Sequence, residues 1–187
     1  MPGPATRVTA GSSRGRLLKT PPGRSTRPTT SLVREALFNI IGDSIRGARV
    51  LDVFAGAGTL GIEALSRGAA WATFVEHDRA CANIVAENLA AIGFAQQGDV
   101  VSADAIEWLR APARDLTSYK LLLVDPPYRE GGTLTAVLQA LDHAPLRDQA
   151  LVVVEHHRTQ PIPPLERLSH VRDRDYGTTR LTFLRYA

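Results

Sequence analysis

Three glycines and two carboxylates stand at spacings that suit an adenosine-containing ligand. Gly56, Gly58 and Gly61 make a Gly-x-Gly-x-x-Gly turn directly after the apolar run Val50-Leu51-Asp52-Val53-Phe54. Glycines so placed let the backbone turn sharply and bring a ligand against main-chain N–H groups at the start of a helix. Glu76 comes twenty positions after Gly56, closing a second apolar run, Ala72-Thr73-Phe74-Val75. A carboxylate there can accept both hydroxyls of a ribose. Asp52 separates two cofactor classes. In a dinucleotide site the helix N-terminus faces a pyrophosphate, and a carboxylate four positions before the first glycine is an unfavourable neighbour for it. The same carboxylate suits a cation, such as the ammonium and sulfonium of S-adenosylmethionine. The expected cofactor is therefore S-adenosylmethionine, held by Asp52, Ala55, Gly56, Gly58, Thr59 and Glu76. Asp104 and Ala105, after the third strand, are assigned to the adenine.

A second motif, Asp125-Pro126-Pro127-Tyr128, follows the apolar run Leu121–Val124. Ligands bind beyond the carboxyl ends of parallel strands, so this tetrapeptide is expected opposite the reactive end of the cofactor. Its prolines stiffen the turn and hold Asp125 extended. The loop then offers a carboxylate at Asp125, a main-chain carbonyl at Pro126 and an aromatic face at Tyr128. Two acceptors for the hydrogens of a planar amine beside a stacking surface suit an exocyclic base amine. Asp125, Pro126, Pro127 and Tyr128 are the expected catalytic residues, and the chemistry requires no metal.

The elements that must position these groups alternate strand and helix, which implies a parallel sheet. Strands are expected at Val50–Phe54, Ala72–Glu76, Val100–Ser102, Leu121–Val124 and Leu151–Val154, with Leu121–Val124 apolar throughout, as a strand covered on both faces is. Helices are expected at Leu60–Arg67, Arg79–Ile92 and from Ile106 to Leu109. Leu168–Asp175 and Thr178–Leu184 read as two strands joined near Tyr176-Gly177, antiparallel at the sheet edge. Upstream, Thr30 is a candidate cap for a helix whose apolar face comprises Leu32, Val33, Ala36, Leu37, Ile40 and Ile41, closed by Gly42. Arg7–Gly11 and Gly15–Lys19 suit a short hairpin around Ser12-Ser13-Arg14. The fold class is α/β, Rossmann-like: a mostly parallel seven-stranded sheet with an antiparallel edge strand, plus a basic N-terminal hairpin or arm.

The chain has 187 residues, of which 44% are hydrophobic, enough for one domain with a substantial core and at most an appendage. No run of about 18 apolar residues is present and the start lacks the apolar segment of a signal peptide, so a cytoplasmic protein is expected, with no membrane contact. Its one cysteine, Cys81, excludes an internal disulfide and a cysteine-based metal cluster and reads as a packing residue. The net charge of +3 is unevenly placed: residues 1–34 carry +7 without a single acid, and the rest of the chain carries −4. A basic arm of residues 1–28 ahead of a catalytic-type domain at 29–187 suits a nucleic-acid backbone. Arg7, Arg14, Arg16, Lys19 and Arg27 are the expected contacts.

These motifs resemble the bacterial RsmD-type family, 16S ribosomal RNA guanine-N2 methyltransferases that use S-adenosylmethionine. The matching pieces are Ala10-Gly11 with Arg14-Gly15-Arg16, Arg27-Pro28-Thr29-Thr30, Val33-Arg34-Glu35-Ala36-Leu37-Phe38-Asn39, Leu51–Gly58, Glu63–Gly68, Phe74-Val75-Glu76, Asp104 and Asp125–Tyr128. They cover nearly the whole chain, and the N-terminal pieces are the family-specific ones. The resemblance implies methyl transfer to a guanine of 16S ribosomal RNA, in a small ribosomal subunit or assembly intermediate, by a monomer. Asp-Pro-Pro-Tyr is shared with adenine-N6 methyltransferases, which leaves that activity as an alternative within enzymes. A non-catalytic RNA-binding assembly factor is the alternative outside them.

Overall fold

The computed structural model describes residues 6–21, 31–112, 114–127 and 132–187. In chain order the elements are β1 (Thr6–Arg7), β2 (Leu17–Leu18), α1 (Ser31–Ile41), a 3₁₀ turn (Gly42–Ile45), β3 (Arg49–Val53), α2 (Thr59–Ser66), β4 (Trp71–Glu76), α3 (Arg79–Ala91), β5 (Gly98–Ser102), α4 (Ala105–Arg110), β6 (Leu121–Val124), α5 (Thr133–His143), β7 (Leu151–His157), β8 (Leu168–Tyr176) and β9 (Thr179–Tyr186). Seven strands form one sheet in the order β5-β4-β3-β6-β7-β9-β8. β5 to β7 run parallel, while β9 is antiparallel to both of its neighbours. The reversed strand therefore lies one place in from the edge, and β8 closes the edge through antiparallel pairing. Among the described residues no helix is long and apolar enough to cross a membrane.

Side-chain alternation along the strands divides the core in two. Val50, Leu121, Leu123 and Val153 face α1, α2 and α3, whereas Leu51, Val53, Leu122, Val124, Val152 and Val154 face α4 and α5. All four residues of β6 are buried, as a central strand covered on both faces requires. Sequence analysis assigned no element between Tyr128 and Leu151. α5 occupies that interval, and Leu134, Val137, Leu138 and Leu141, all buried, mark its inward face at helical spacing.

α1 is rotated from the expected face. Leu32 is 67% exposed, while Val33, Arg34, Leu37, Phe38 and Ile41 are buried. The reason is polar. Arg34, only 1% exposed, points at the fully buried Glu63 of α2, with Arg34 Nε 3.5 Å from Glu63 Oε2. Arg34 Nη2 also donates to the Arg7 carbonyl (2.7 Å). Burial pulls the Arg34 guanidinium below its usual pKa, with Glu63 opposing and Arg67 adding to the shift.

Glu63 collects the N-terminal segment as well. It accepts from Thr9 N (2.8 Å), Thr9 Oγ1 (2.6 Å), Ala10 N (3.0 Å) and Arg67 Nε (2.8 Å). One turn on, Ser66 Oγ donates to the Ala10 carbonyl (2.6 Å) and accepts from Ser13 N (3.0 Å), and its own carbonyl accepts from Ser12 N (2.8 Å). Gly11, at φ +83°, lies so close that an added Cβ would sit 1.8 Å from the Ser66 carbonyl oxygen. The pieces around Ala10-Gly11, Arg34 and Glu63–Gly68 thus meet at one junction.

The expected hairpin forms, with Thr6 opposite Leu18 and Arg7 opposite Leu17, and it is bound to α2 and α3 along its length. This corrects the expectation that the +7 of residues 1–34 is uncompensated. Arg34 is buried against Glu63, and Lys19 pairs with Glu87 (2.8 Å). Arg24, Arg27, Thr30 and the boundary at residue 28 lie outside the described residues. Removing one partner of a buried ion pair leaves the other charge unmatched, so Glu63→Ala is expected to lower stability by about 3–5 kcal/mol. Urea denaturation followed by circular dichroism measures this, and an unchanged midpoint would refute the role of Glu63 as the anchor.

Candidate active site

The carboxyl ends of β4, β3 and β6 bring the two sequence motifs together. Val53 pairs with Val75 on one side and with Val124 on the other. One residue further along, Glu76, Phe54 and Asp125 therefore stand in a row across three adjacent strands, with Asp125 N donating to the Val53 carbonyl (3.4 Å). Phe54 has φ 65°, which is unusual for a residue other than glycine. No feature of the sequence marks this conformation, and Phe54 was not among the expected site residues.

Glu76 is only 5% exposed, and its two oxygens divide the work of shaping the loop. Oε2 accepts from Gly56 N (2.8 Å), and Oε1 accepts from Asp78 N (2.8 Å). Gly56 and Gly58 hold φ 57° and 79°. An added Cβ on Gly58 would lie 2.9 Å from Val85, so conformation and space both demand glycine there. The remaining glycine serves packing, since a Cβ on Gly61 would lie 2.3 Å from the Phe74 ring. Ala55 is buried and donates to the Val75 carbonyl (3.0 Å), and Thr59 begins α2.

Gly58, the residue capping α2, has no side chain to satisfy the first-turn N–H groups. Asp52 does so from the preceding strand, its Oδ2 accepting from Gly61 N (2.8 Å). The expectation gave Asp52 a cationic ligand; in the structure its carboxyl lies 1% exposed behind the loop and holds the helix. Asp104 likewise caps α4, accepting from Glu107 N (2.9 Å), and is exposed, while Ala105 beside it is buried. Among the loop residues, Pro126 is buried, Asp125 is half-buried and Pro127 is exposed; Tyr128 lies outside the described residues.

The geometry fits an adenosine-bearing cofactor. An acidic group and the N–H-rich start of a helix flank a glycine at which an added Cβ would meet nothing within 4 Å, namely Gly56. Among the described residues no group of His, Cys, Asp and Glu could hold a metal ion. Of the expected RNA contacts, Arg7, Arg14, Arg16 and Lys19 are all exposed on the hairpin. Arg7 Nη1 donates to the Gly15 carbonyl (2.9 Å) and Arg16 Nη2 to the Ala91 carbonyl (2.7 Å).

Burial pushes the Asp52 carboxyl up to about 7, against the pull of the Gly61 N–H and with a further push from Glu76. The folded protein therefore keeps a proton that the unfolded chain releases near the ordinary value of 3.8. Asp52's contribution to stability is full below that value and is lost as pH rises through about 7. Asp52→Asn retains an acceptor for Gly61 without a charge. Its melting temperature is expected to gain on the wild type between about pH 4 and pH 7 and to hold a constant difference at higher pH. Thermal melts across pH test this; parallel curves would show that Asp52 stays ionised in the fold.

Comparison with known proteins identifies the family. Residues 6–185 match the model of the family described as Conserved hypothetical protein 95. Over 175 residues the chain is 41% identical to the putative rRNA methyltransferase YlbH of Bacillus subtilis (strain 168), covering 92% of this chain and 95% of that protein. It is 41% identical over 157 residues to ribosomal RNA small subunit methyltransferase D of Escherichia coli (strain K12), covering 84% and 77% of the two. The solved structure of the putative methyltransferase yhhF from Escherichia coli superposes with a TM-score of 0.83 at 37% identity, over 98% of both chains. With a family model matching residues 6–185 and methyltransferase relatives 41% identical over most of its length, the chain belongs to the RsmD-type family of ribosomal RNA methyltransferases.

Proposed function

We propose that this protein transfers the methyl group of S-adenosylmethionine to the exocyclic N2 amine of a guanine in small-subunit (16S) ribosomal RNA. It acts as a monomer in the cytoplasm, on a small ribosomal subunit or an assembly intermediate. The observation that carries this reading is the row of Glu76, Phe54 and Asp125 across β4, β3 and β6, which sets a ribose-type acceptor and an amine-type acceptor on either side of one strand end. Family membership narrows the acceptor to ribosomal RNA.

S-adenosylmethionine, when bound, supplies an electrophilic methyl carbon on a sulfonium. Glu76, together with the Gly56–Gly58 turn, holds the ribose end, and Asp104 and Ala105 take the adenine side. The guanine N2 lone pair is delocalised into the ring, so the amine is a weak nucleophile. Asp125 and the Pro126 carbonyl accept its two hydrogens and favour a pyramidal nitrogen aimed at the methyl group. Asp125 would also stand ready to take the proton that the amine sheds on methylation. The base must leave its stack to reach this edge, and Tyr128 is assigned to stack upon it.

Asp125→Ala is expected to slow single-turnover methylation at least about a hundredfold while cofactor affinity, read by calorimetry, is kept. Near-wild-type transfer would remove Asp125 from the mechanism. Glu76→Ala is expected to weaken cofactor binding by about 1.5–3 kcal/mol, and unchanged affinity would refute its ribose role. Digestion of the methylated product to nucleosides decides the base. N2-methylguanosine supports the proposal, N6-methyladenosine replaces it with the adenine reading, and absence of transfer to ribosomal subunits favours a non-catalytic assembly factor.

A further inference from the structure

The edge of the sheet where the parallel strands begin carries a second concentration of charge, remote from Asp125. A concavity of about 350 Å³ there is lined by Arg46, Arg49, Ser118, Lys120 and Arg147. The sheet order brings these residues together. Arg49 opens β3, Lys120 immediately precedes β6 and donates its N–H to the Arg49 carbonyl (3.0 Å), and the Lys120 carbonyl accepts from Leu151 N at the start of β7 (3.0 Å). Arg147 lies in the turn before β7, its carbonyl accepting from Ala150 N (3.0 Å). Arg49, Lys120 and Arg147 are exposed. Among the described residues no carboxylate lies within ion-pair distance of these three, while Arg46 pairs with the exposed Asp43 (3.0 Å). The Arg49 guanidinium rests 5.2 Å from the centre of the Trp71 ring and 5.9 Å from that of Tyr119. Its charge is thereby held over a fixed aromatic platform.

We propose that this basic concavity docks the phosphodiester backbone of the RNA substrate at a distance from the target base. The proposal rests on the reading of the protein as an RNA methyltransferase. Cations gathered without acids repel one another, and a polyanion relieves that repulsion while releasing its own counterions. Continuity with the hairpin favours an RNA strand over a small anion. Gly47, beside Arg46, donates its N–H to the Gly68 carbonyl (2.8 Å), and two residues earlier Ser66 holds the hairpin turn through Ser12 and Ser13. Exposed Arg14 on that turn and the concavity therefore belong to the same edge of the molecule. The five residue steps from Arg49 to Phe54 span about 17 Å, so RNA seated here lies nearly the width of a duplex from the reacting base. Base capture at one edge and backbone grip at the other are separate contacts.

The test uses the full-length protein and a fluorescein-labelled fragment of small-subunit ribosomal RNA. Affinity is measured against salt for the wild type, for R49A/K120A/R147A and for K120A/R147A, the last leaving the Arg49 stack on Trp71 intact. The triple variant is expected to lower the slope of log affinity against log salt by roughly 2–3, and the double by roughly 1.5. Cofactor affinity and the single-turnover rate at saturating RNA should remain at wild-type levels. Wild-type slopes in both folded variants would overturn the docking site while leaving the methyltransferase reading intact. A wild-type protein without RNA affinity would overturn both. Inorganic phosphate and pyrophosphate are assayed alongside by thermal shift. Stabilisation of the wild type but not of the variants, with unchanged RNA slopes, would make this a small-anion site and overturn the proposal.

Discussion

The rest of the structure depends on a buried carboxylate, Glu63. With no solvent exposure, it must find its partners inside the protein, and it finds them in three separate parts of the chain: Thr9 and Ala10 of the hairpin, Arg34 of α1 and Arg67 one turn further along α2. A buried ion pair is a weak source of net stability, because desolvation offsets the attraction. It is a strong source of specificity, because any arrangement that leaves one charge unmatched is heavily penalised. Detaching the hairpin would leave Arg34 and Arg67 paired with Glu63 but would strip three hydrogen-bond donors, Thr9 N, Thr9 Oγ1 and Ala10 N, from a buried carboxylate. The hairpin of the described residues 6–21 is thus bound into the domain, and Arg7, Arg14, Arg16 and Lys19 stand exposed on a docked element.

The helix that carries Glu63 is also the one that begins at the glycine turn, and this couples the two ends of α2. Its N-terminal end is held by Asp52 from below and by the Gly56–Gly58 turn, which Glu76 in turn secures. Its C-terminal end holds the hairpin through Ser66. Gly61 lets α2 approach Phe74 more closely than any side chain would permit. Tight packing, not a long interface, therefore sets the position of the glycine loop. Asn88 extends the same coupling to α3: its side-chain amide donates both to the Lys19 carbonyl and to the Ala57 carbonyl, each at 3.0 Å. The hairpin and the glycine loop thereby share one side chain.

Charge is distributed over the sheet to match this division. The carboxyl edge carries Glu76 and Asp125, while the amino edge carries Arg49, Lys120 and Arg147 with no acid paired to them among the described residues. An RNA substrate needs both kinds of contact, because phosphate contacts position without specifying and base contacts specify at a single nucleotide. The net charge of +3 conceals this arrangement, since the acids are largely spent on capping and internal pairing.

The sequence by itself determined the features that rest on local chemistry. The glycine turn, the carboxylate closing the second strand and the apolar run of β6 each follow from a few consecutive residues and agree with the structure in place and type. The helix α5 was also written locally, in Leu134, Val137, Leu138 and Leu141. Only the tertiary structure decided the fate of the polar groups. The inward turn of Arg34 follows from a carboxylate 29 positions away, and Asp52 caps a helix because Gly58 cannot. Phe54, just past the end of β3, takes a left-handed conformation that its side chain does not favour. Arg46, Arg49, Lys120 and Arg147 are scattered over some hundred positions and meet only because β3, β6 and β7 lie side by side. Apolar periodicity reports which way a residue faces its own element, whereas the partner of a buried charge is set by strand order, and strand order is a property of the folded chain.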